Sequence, residues 1–287
     1  LFYDSLNFLI NKRYKVTFYK GPNFKKKITL KEPKNSKYKF LHKYDFIITG
    51  TSETLFEKNI WRYCDTNNIQ YAAFVDSVVN IKQRFSKINK FPKSIFITSN
   101  ITESKIKKIF PIKSKATKII NIGFISHIYL KKILPNKPSQ KNILYVTSDI
   151  NFKYELEIIK KFINFSKIKK NILYICIHPR ENLELYKSKI KNAANIKIYQ
   201  NKLLKIAPKV SEVFGVSTMA LLDMKAIGKR VFYYKNRMNK DDMHKLFSIY
   251  GLGNFRLRKN EIIKLKKNLN IRNVNNKIIL KNIYELI

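Results

Sequence analysis

The sequence predicts an α/β protein built from two open, mainly parallel sheets that face each other across a cleft. Short apolar, β-branched segments alternate with longer segments of helical periodicity, as in successive βαβ units. This alternation runs twice, and a proline-containing interruption at residues 131–141 separates the two runs. With 287 residues and a hydrophobic fraction of 45%, the chain is large and apolar enough to bury a core in each half.

The first half, residues 1–130, is predicted to contain one sheet and its connecting helices. Its predicted strands are the apolar runs at 14–19, 45–49, 69–75, 94–98 and 118–122. Periodicity predicts a helix over 53–68, with Leu55, Ile60 and Cys64 facing inward, and a second over 102–109. Because the sequence begins with Leu1 rather than Met, we expect this half to be truncated at its start.

Residues 131–141 are predicted to be a linker because they include Pro135 and Pro138. The second half, residues 142–287, then repeats the strand and helix alternation. Its predicted strands are 142–147, 171–177, 196–199, 212–216 and 230–234, and its predicted helices are 152–165, 181–192 and 218–227. The remainder of the chain is predicted to be mainly helical and loop-like.

The formal net charge of +40 points first to a polyanion, either nucleic acid or an anionic membrane surface. The excess is mostly lysine and is scattered, whereas base readout and phosphate forks favour arginine. Lys, Ile and Asn share A/T-rich codons, so base composition explains the excess equally well. We therefore expect nucleic acid not to be the main ligand, and we predict a cytoplasmic protein peripheral to the inner face of the membrane.

Cysteine and histidine usage argues against several other classes. Cys64 and Cys176 provide neither a disulfide framework nor a zinc cluster, and both are predicted to be buried core residues. The histidines show no metal-ligand spacing, so we predict no metal and no cofactor. No apolar run approaches the roughly 20 residues that a membrane span requires.

The first candidate binding motif is His178-Pro179-Arg180, which directly follows a predicted strand. Ligands of open α/β sheets bind beyond the carboxyl ends of the strands. Pro179 ends the strand and favours a helix start, so His178 and Arg180 are candidates to bind a phosphate. The alternative is that His178 only bonds a neighbouring carbonyl.

A second candidate motif contains Ser217 and Thr218, which lie between another predicted strand and its following helix. Both hydroxyls suit a helix N-terminus, where they either cap the helix or contact a phosphate. Simple capping is the alternative for this segment alone. The two motifs together predict one phosphate site on the second half.

The second half resembles the nucleotide-binding half of GT-B-fold transferases over roughly residues 142–234. The matching motifs are Val213-Phe214-Gly215-Val216-Ser217-Thr218, Ala220-Leu221-Leu222-Asp223 and Gly228-Lys229-Arg230-Val231, with His178-Pro179 upstream. Bacterial sialyltransferases and CDP-glycerol glycerophosphotransferases, which build surface polymers, pair similar motifs. The resemblance implies two Rossmann-like domains, phosphate contacts at His178, Ser217 and Thr218, and a ribose contact at Asp223. Asp223 stands where glutamate is more usual.

The first half is similar to the acceptor-side half of GT-B-like proteins of surface-polysaccharide gene sets. The matching residues are Asp45 to Ser52, Glu57, Trp61, Ala72 to Asp76 and Arg84-Phe85. Gly50 is expected to allow a tight turn that brings Thr51 and Ser52 to a helix N-terminus. Asp76, at a strand end, is a candidate general base or a cap. Arg84 is expected to pair with Asp76 or to hold an anionic acceptor.

These observations predict a metal-independent glycosyltransferase. It would move a sugar or a polyol phosphate from a nucleotide-activated donor to a glycan or lipid-linked acceptor on the bacterial surface. Three alternatives stay open at this point: an epimerase or hydrolase of the same fold, a basic nucleic-acid-binding protein, and a non-catalytic relative. An acidic motif typical of sialyltransferases is absent from the sequence.

Overall fold

Two sheets organise the chain, and each belongs to its own compact unit. The structure is a computed structural model, which describes residues 17, 38–53, 55–88, 90–134, 141–190, 193–235, 242–258 and 261–265. The two units divide between Ile125 and Ser126. The predicted class, an α/β chain with two mainly parallel sheets, is confirmed.

The first unit contains a parallel four-stranded sheet in the order β1-β2-β3-β4. Its strands are β1 (Ile47–Thr49), β2 (Tyr71–Val75), β3 (Ser94–Ile97) and β4 (Lys118–Asn121). Its helices are α1 (Leu55–Thr66), α2 (Ile81–Arg84) and α3 (Asn100–Ile109), and a 3₁₀ turn at Lys39–Lys43 precedes β1. Because all neighbouring strands pair in parallel, all four end at one edge of the sheet, which we call its carboxyl edge.

Helix α1 covers this sheet with its apolar face. Ile60, Trp61 and Cys64 are buried, whereas Leu55 is 48% exposed because it begins the helix, so its predicted inward position is wrong. The indole Nε1 of Trp61 donates to Thr49 Oγ1 at 2.7 Å, which ties the helix to the end of β1. This bond fixes the position of α1 relative to the end of β1.

The second unit contains a seven-stranded sheet in the order β11-β10-β9-β8-β5-β6-β7. Its strands are β5 (Ile143–Val146), β6 (Leu173–Ile177), β7 (Ile196–Gln200), β8 (Glu212–Gly215), β9 (Arg230–Tyr234), β10 (Gly253–Arg258) and β11 (Glu261–Leu265). Its helices are α4 (Ile125–Ile133), α5 (Phe152–Ile168), α6 (Leu183–Lys189), α7 (Leu203–Ile206), α8 (Ala220–Ala226) and α9 (Asp242–Ile249). All neighbouring strands pair in parallel except β11, which runs antiparallel to β10.

The strand order of the second sheet reverses at β5. The chain moves outward from β5 through β6 to β7 and then returns to place β8 on the other side of β5. The connections after β5 and β8 therefore leave the sheet at a topological switch point, where ligands of doubly wound sheets bind. The core below this point is aromatic: Phe162 of α5 packs on Tyr145, Phe214 and Phe255, with ring centroids 4.9–5.5 Å away.

Two parts of the predicted element order differ from the structure. The remainder after 234 is not only helical and loop-like, because β10 and β11 add two strands to the sheet. Phe255 of β10 is fully buried, so packing against the core and pairing with β9 decide its conformation. Residues 131–133 of the predicted linker form the end of α4. Residues 135–140, and the predicted strand 14–19 apart from residue 17, lie outside the described residues.

Cys64 and Cys176 are buried and unbridged, so their predicted place in the core is confirmed. Burial raises the pKa of the Cys64 thiol to about 12, which makes it a poor nucleophile. In the part of the chain that the structure describes, no helix has the length and apolarity to cross a membrane. The same residues contain no group of three or more His, Cys, Asp or Glu side chains arranged to hold a metal ion.

Candidate functional site

Three polar segments meet at the carboxyl edge of the second sheet. They are residues 147–149 after β5, residues 178–182 after β6 (the His178 loop) and residues 216–219 after β8 (the Ser217 loop). Thr147 Oγ1 accepts from the backbone N–H of His178 at 2.7 Å. Ser148 Oγ accepts from the backbone N–H of Ser217 at 2.9 Å. Two consecutive residues after β5 therefore join both candidate phosphate motifs.

The His178 loop is fixed from both sides by neighbouring strands. Gln200, the last residue of β7, donates from Nε2 to the carbonyl of His178 at 3.0 Å and to that of Glu181 at 2.8 Å. The Glu181 carboxylate accepts from the hydroxyls of Thr147 and Tyr186 and, at 3.3 Å, from the N–H of His178. Glu181 thus positions the loop, although the sequence placed it only at the start of a helix.

The imidazole of His178 is 27% exposed at the tip of this loop. Its Nδ1 accepts from the backbone N–H of Arg180 at 3.3 Å. Burial lowers the pKa of His178, against the opposing charges of Asp149 and Glu181, so the ring is neutral at pH 7. Because Nδ1 is an acceptor, the proton of the neutral ring lies on Nε2, which is then a donor for a ligand.

Asp149 is a site residue that sequence reasoning missed. Its Oδ2 lies 3.6 Å from Nη1 of Arg180 and 3.9 Å from Nδ1 of His178. Its φ of 54° lies in the left-handed region, which a non-glycine residue adopts at a cost and which recurs at functional sites. The strand-end criterion that selected His178 also selects Asp149, because it follows β5 within three residues.

The Ser217 loop depends on a close approach of β8 to β5. Gly215 ends β8, and a Cβ at this position would lie 2.8 Å from the Val146 carbonyl oxygen. Only glycine fits there without moving a strand. After it, Thr218 Oγ1 accepts from the N–H of Ala220, the first residue of α8, at 3.4 Å. The N-cap of α8 is Met219, which makes no side-chain capping bond, so the roles expected for Ser217 and Thr218 stay predictions.

Asp223 of α8 lies apart from the His178 loop in its contacts. Its Oδ1 accepts from the Ser126 hydroxyl at 2.9 Å and lies 3.5 Å from Nε2 of His127. The side chain is 16% exposed. The structure thus engages Asp223 with helix α4, and the ribose contact implied by resemblance stays a prediction.

A buried carboxyl group lies under the β5 end of the site. Glu155 of α5 is fully buried; it accepts from the Tyr145 hydroxyl at 2.7 Å and from the N–H of Ser148 at 3.3 Å. Burial raises the pKa of Glu155 to about 8, and the charge of Glu181 acts in the same direction. At pH 7 the group is therefore mainly protonated and supports Ser148 as a neutral acid.

Three of the four predicted residues of the first unit meet at the carboxyl edge of its sheet. Nη1 of Arg84 donates to the carbonyl and the hydroxyl of Thr51 at 2.9 and 3.0 Å and pairs with Asp76 at 2.8 Å. The predicted pairing of Arg84 with Asp76 is confirmed. Ser52 donates instead to Glu57 of α1. Gly50 has neither a positive φ nor a crowded Cβ position, so the turn that it was expected to allow does not require glycine.

Comparison with known proteins finds no matching family model and no matching curated protein. Among solved structures, the chain is similar to Arabidopsis thaliana UGT89C1 complexed with UDP-L-rhamnose, with a TM-score of 0.42 and 12% identity over 75% of this chain. It spans 59% of the length of that protein. It is also similar to Acinetobacter baumannii MurG, with a TM-score of 0.37 and 13% identity over 79% of this chain and 67% of MurG. Likeness at this level does not extend to activity or substrate.

Proposed function

We propose that the second unit binds the phosphates of a nucleotide-activated sugar or polyol phosphate at the carboxyl edge of its sheet. One observation carries the proposal. Thr147 and Ser148 join the His178 loop and the Ser217 loop at the switch point, where doubly wound sheets bind ligands. The motif resemblance to GT-B-fold transferases supports the same site.

The site residues then have distinct roles in a transfer reaction. The Nε2–H of His178 and the exposed guanidinium of Arg180 bind the phosphate and stabilise the charge that develops as the donor bond breaks. Ser217 and Thr218 contact the same phosphate, and Asp223 holds the ribose. This chemistry requires no metal or further cofactor.

The first unit is proposed to hold the acceptor, a bacterial surface glycan or a lipid-linked precursor. Asp76 is 63% exposed at a strand end, so it is accessible to an acceptor hydroxyl as a general base. Arg84, which also donates to Thr51, pairs with Asp76 and fixes its position. Asp76→Asn is expected to lower the transfer rate by about 10²–10⁴-fold and to leave donor binding unchanged. An unchanged rate in that variant would remove Asp76 from the mechanism.

Donor binding is tested by thermal shift with CMP, CDP, UDP and GDP. A nucleotide at 100 times its Kd stabilises the folded protein by about 2.7 kcal/mol. We expect one nucleotide to raise the Tm of the wild type, and His178→Ala and Ser217→Ala to reduce the rise. His42→Ala is the matched control, because His42 is exposed in the first unit. The proposed site is wrong if no nucleotide stabilises the protein or if both site variants respond as the wild type does.

Product analysis separates transfer from the other candidates. An epimerase or hydrolase converts the donor without an acceptor, whereas a transferase requires one. A nucleic-acid-binding protein shows binding that falls steeply with salt and tolerates His178→Ala. A non-catalytic relative binds the nucleotide and gives no product under any of these conditions.

We further propose that the lysine-rich surface attaches the protein to the anionic inner face of the cytoplasmic membrane. Each lysine near such a surface adds about 1 kcal/mol at most, and salt screens the attraction. Co-sedimentation with vesicles containing phosphatidylglycerol, and none with phosphatidylcholine alone, is the expected result. Equal recovery with both vesicles would contradict the attachment.

A further inference from the structure

The first unit contains a basic cavity that the proposed function does not use. This cavity has a volume of about 260 Å³ and lies between α1 and the residues that follow α2. Four of its lining side chains are cations: Lys58, Arg62, Lys87 and Lys90. None of them belongs to the cluster of Thr51, Asp76 and Arg84.

Among the described residues that line the cavity, positive charges outnumber negative ones. The four cations face one carboxylate, Asp65, whose Oδ2 already accepts from the Tyr71 hydroxyl at 3.2 Å. Lys58 is fully buried, and its Nζ donates to the carbonyl of Glu53 at 3.3 Å. Burial, and next the charge of Lys87, lower the pKa of Lys58, against the opposing charges of Glu57 and Glu53. An anion in the cavity would therefore stabilise charges that the free protein holds at a cost.

The lysine-rich composition alone does not explain this cavity. Scattered surface lysines remain solvated, whereas the Lys58 side chain has no exposed surface. Arg62 supplies one of the chain's few guanidinium groups, and its planar donors suit a phosphate. The cavity thus combines a buried cation with a phosphate-type donor.

An apolar wall completes the cavity. Trp61 and Ile88 both line it, and both are more than nine-tenths buried. Trp61 is held by its bond to Thr49 and by stacking on Phe85, with ring centroids 6.0 Å apart. Sites for drug-sized ligands occupy roughly 300–1,000 Å³, so this smaller space suits a compact ligand.

We propose that this basic cavity binds a small organic phosphate of the size of a monosaccharide phosphate. The phosphate lies between the exposed cations Arg62 and Lys87, with the buried Lys58 behind them, and the carbon skeleton lies beside Trp61 and Ile88. The nucleotide site of the second unit shares no residue with it. The proposal therefore stands or falls independently of the proposed transferase.

Trp61 is the single tryptophan of the 287-residue chain, so its fluorescence reports directly on the cavity. We expect a saturable change in emission when the full chain is titrated with glucose 6-phosphate. Arg62→Gln and Lys87→Gln are expected to weaken binding about tenfold each, as loss of a charge-assisted bond implies. Lys82→Gln is the matched control, because Lys82 is an exposed lysine of α2 outside the cavity.

Several results would overturn the proposal. These are no saturable change in emission, equal weakening by Lys82→Gln, or equal affinity for glucose, which carries no phosphate. Equal affinity for inorganic phosphate and for glucose 6-phosphate would show that the apolar wall does not contribute to binding. A response that disappears in His178→Ala would assign the ligand to the second unit. Lys90→Gln provides a second exposed variant if one of the others fails to fold, as judged by circular dichroism.

Discussion

The carboxyl edges of the two sheets use their charged groups in different ways. In the first unit, Arg84 donates to Thr51 and Val79 and pairs with Asp76, so its cation is bound by the protein itself. In the second unit, Arg180 is 78% exposed, and Nε2 of His178 has no hydrogen-bond partner among the described residues. An edge whose cation is bound by groups of the protein stabilises its own loops, whereas an edge with accessible donors can bind an anion.

The largest expected effect tests how closely the strands approach at each edge. Gly215→Ala places a Cβ 2.8 Å from the Val146 carbonyl oxygen and is expected to lower the free energy of unfolding by about 3 kcal/mol. Urea denaturation followed by circular dichroism measures the change. Gly50→Ala is the matched control, because its Cβ would meet no atom within 4 Å. Equal loss in both variants would contradict the crowding at β5 and β8.

Removal of the Arg84 guanidinium, which the first unit itself binds, is expected to have the next largest effect on stability. Arg84→Met leaves the carbonyls of Thr51 and Val79 without this donor and is expected to lower the free energy of unfolding by about 2 kcal/mol. The same urea experiment applies. Lys82→Met, at an exposed position of the same helix, is expected to stay within about 0.5 kcal/mol of the wild type. A stable Arg84→Met protein would show that this edge does not depend on the cation.

The exposed cation of the second unit is expected to behave in the opposite way. Arg180→Met should leave the free energy of unfolding within about 0.5 kcal/mol of the wild type, because its side chain is exposed. It should weaken nucleotide binding about tenfold, or about 1.4 kcal/mol, through loss of a charged phosphate contact. Calorimetric titration with the nucleotide found by thermal shift measures this. Loss of stability with unchanged affinity would reverse the contrast between the two edges.

A pH experiment tests how the buried Glu155, which lies under the carboxyl edge of the second sheet, contributes to stability. The folded-state pKa of Glu155 is raised to about 8, so the folded protein retains a proton that the unfolded chain has lost. Its contribution to stability is present below the unfolded pKa of about 4.3 and is lost progressively as pH rises through 8. Between pH 6 and 7 we expect the wild type to lose about 1 kcal/mol through this group.

Glu155→Gln is the matched variant for this pH dependence. Its amide can accept from the N–H of Ser148 and donate to the Tyr145 oxygen, so it keeps both contacts without titrating. The difference in unfolding free energy between wild type and variant should therefore change with pH. Parallel pH profiles from pH 5.5 to 8 would show that the carboxyl group does not titrate in this range.

The sequence predicted the strands of both sheets well where burial on two faces leaves a continuous apolar run. Every residue of β2, β5 and β6 is buried, and their positions were predicted within two residues at each end. Strands β10 and β11 were not predicted, because neither is a continuous apolar run. In β10 and β11, charged residues interrupt the apolar ones and leave only short apolar stretches, and pairing beyond β9 places both strands in the sheet.

Only those residues of the candidate site that follow a local sequence pattern were predicted. His178 and Ser217 were found because strand ends and helix starts are visible in the sequence. Glu181 and Gln200 were not found, because their roles depend on contacts with a different strand. Asp149 was missed although it follows β5 within three residues, because the strand-end criterion was applied to His178 and not to the residues after β5.

The scattered lysines have a further consequence at the sides of the sheets. β4 lies at one side of the first sheet and β7 at one side of the second, so each pairs with a described strand on one side only. Each strand carries an exposed lysine, Lys118 in β4 and Lys197 in β7. A lysine on an edge strand disfavours pairing with a strand of another chain, because the charge would have to be desolvated. We therefore expect the same excess of charge to disfavour edge-to-edge pairing with another chain while the protein folds.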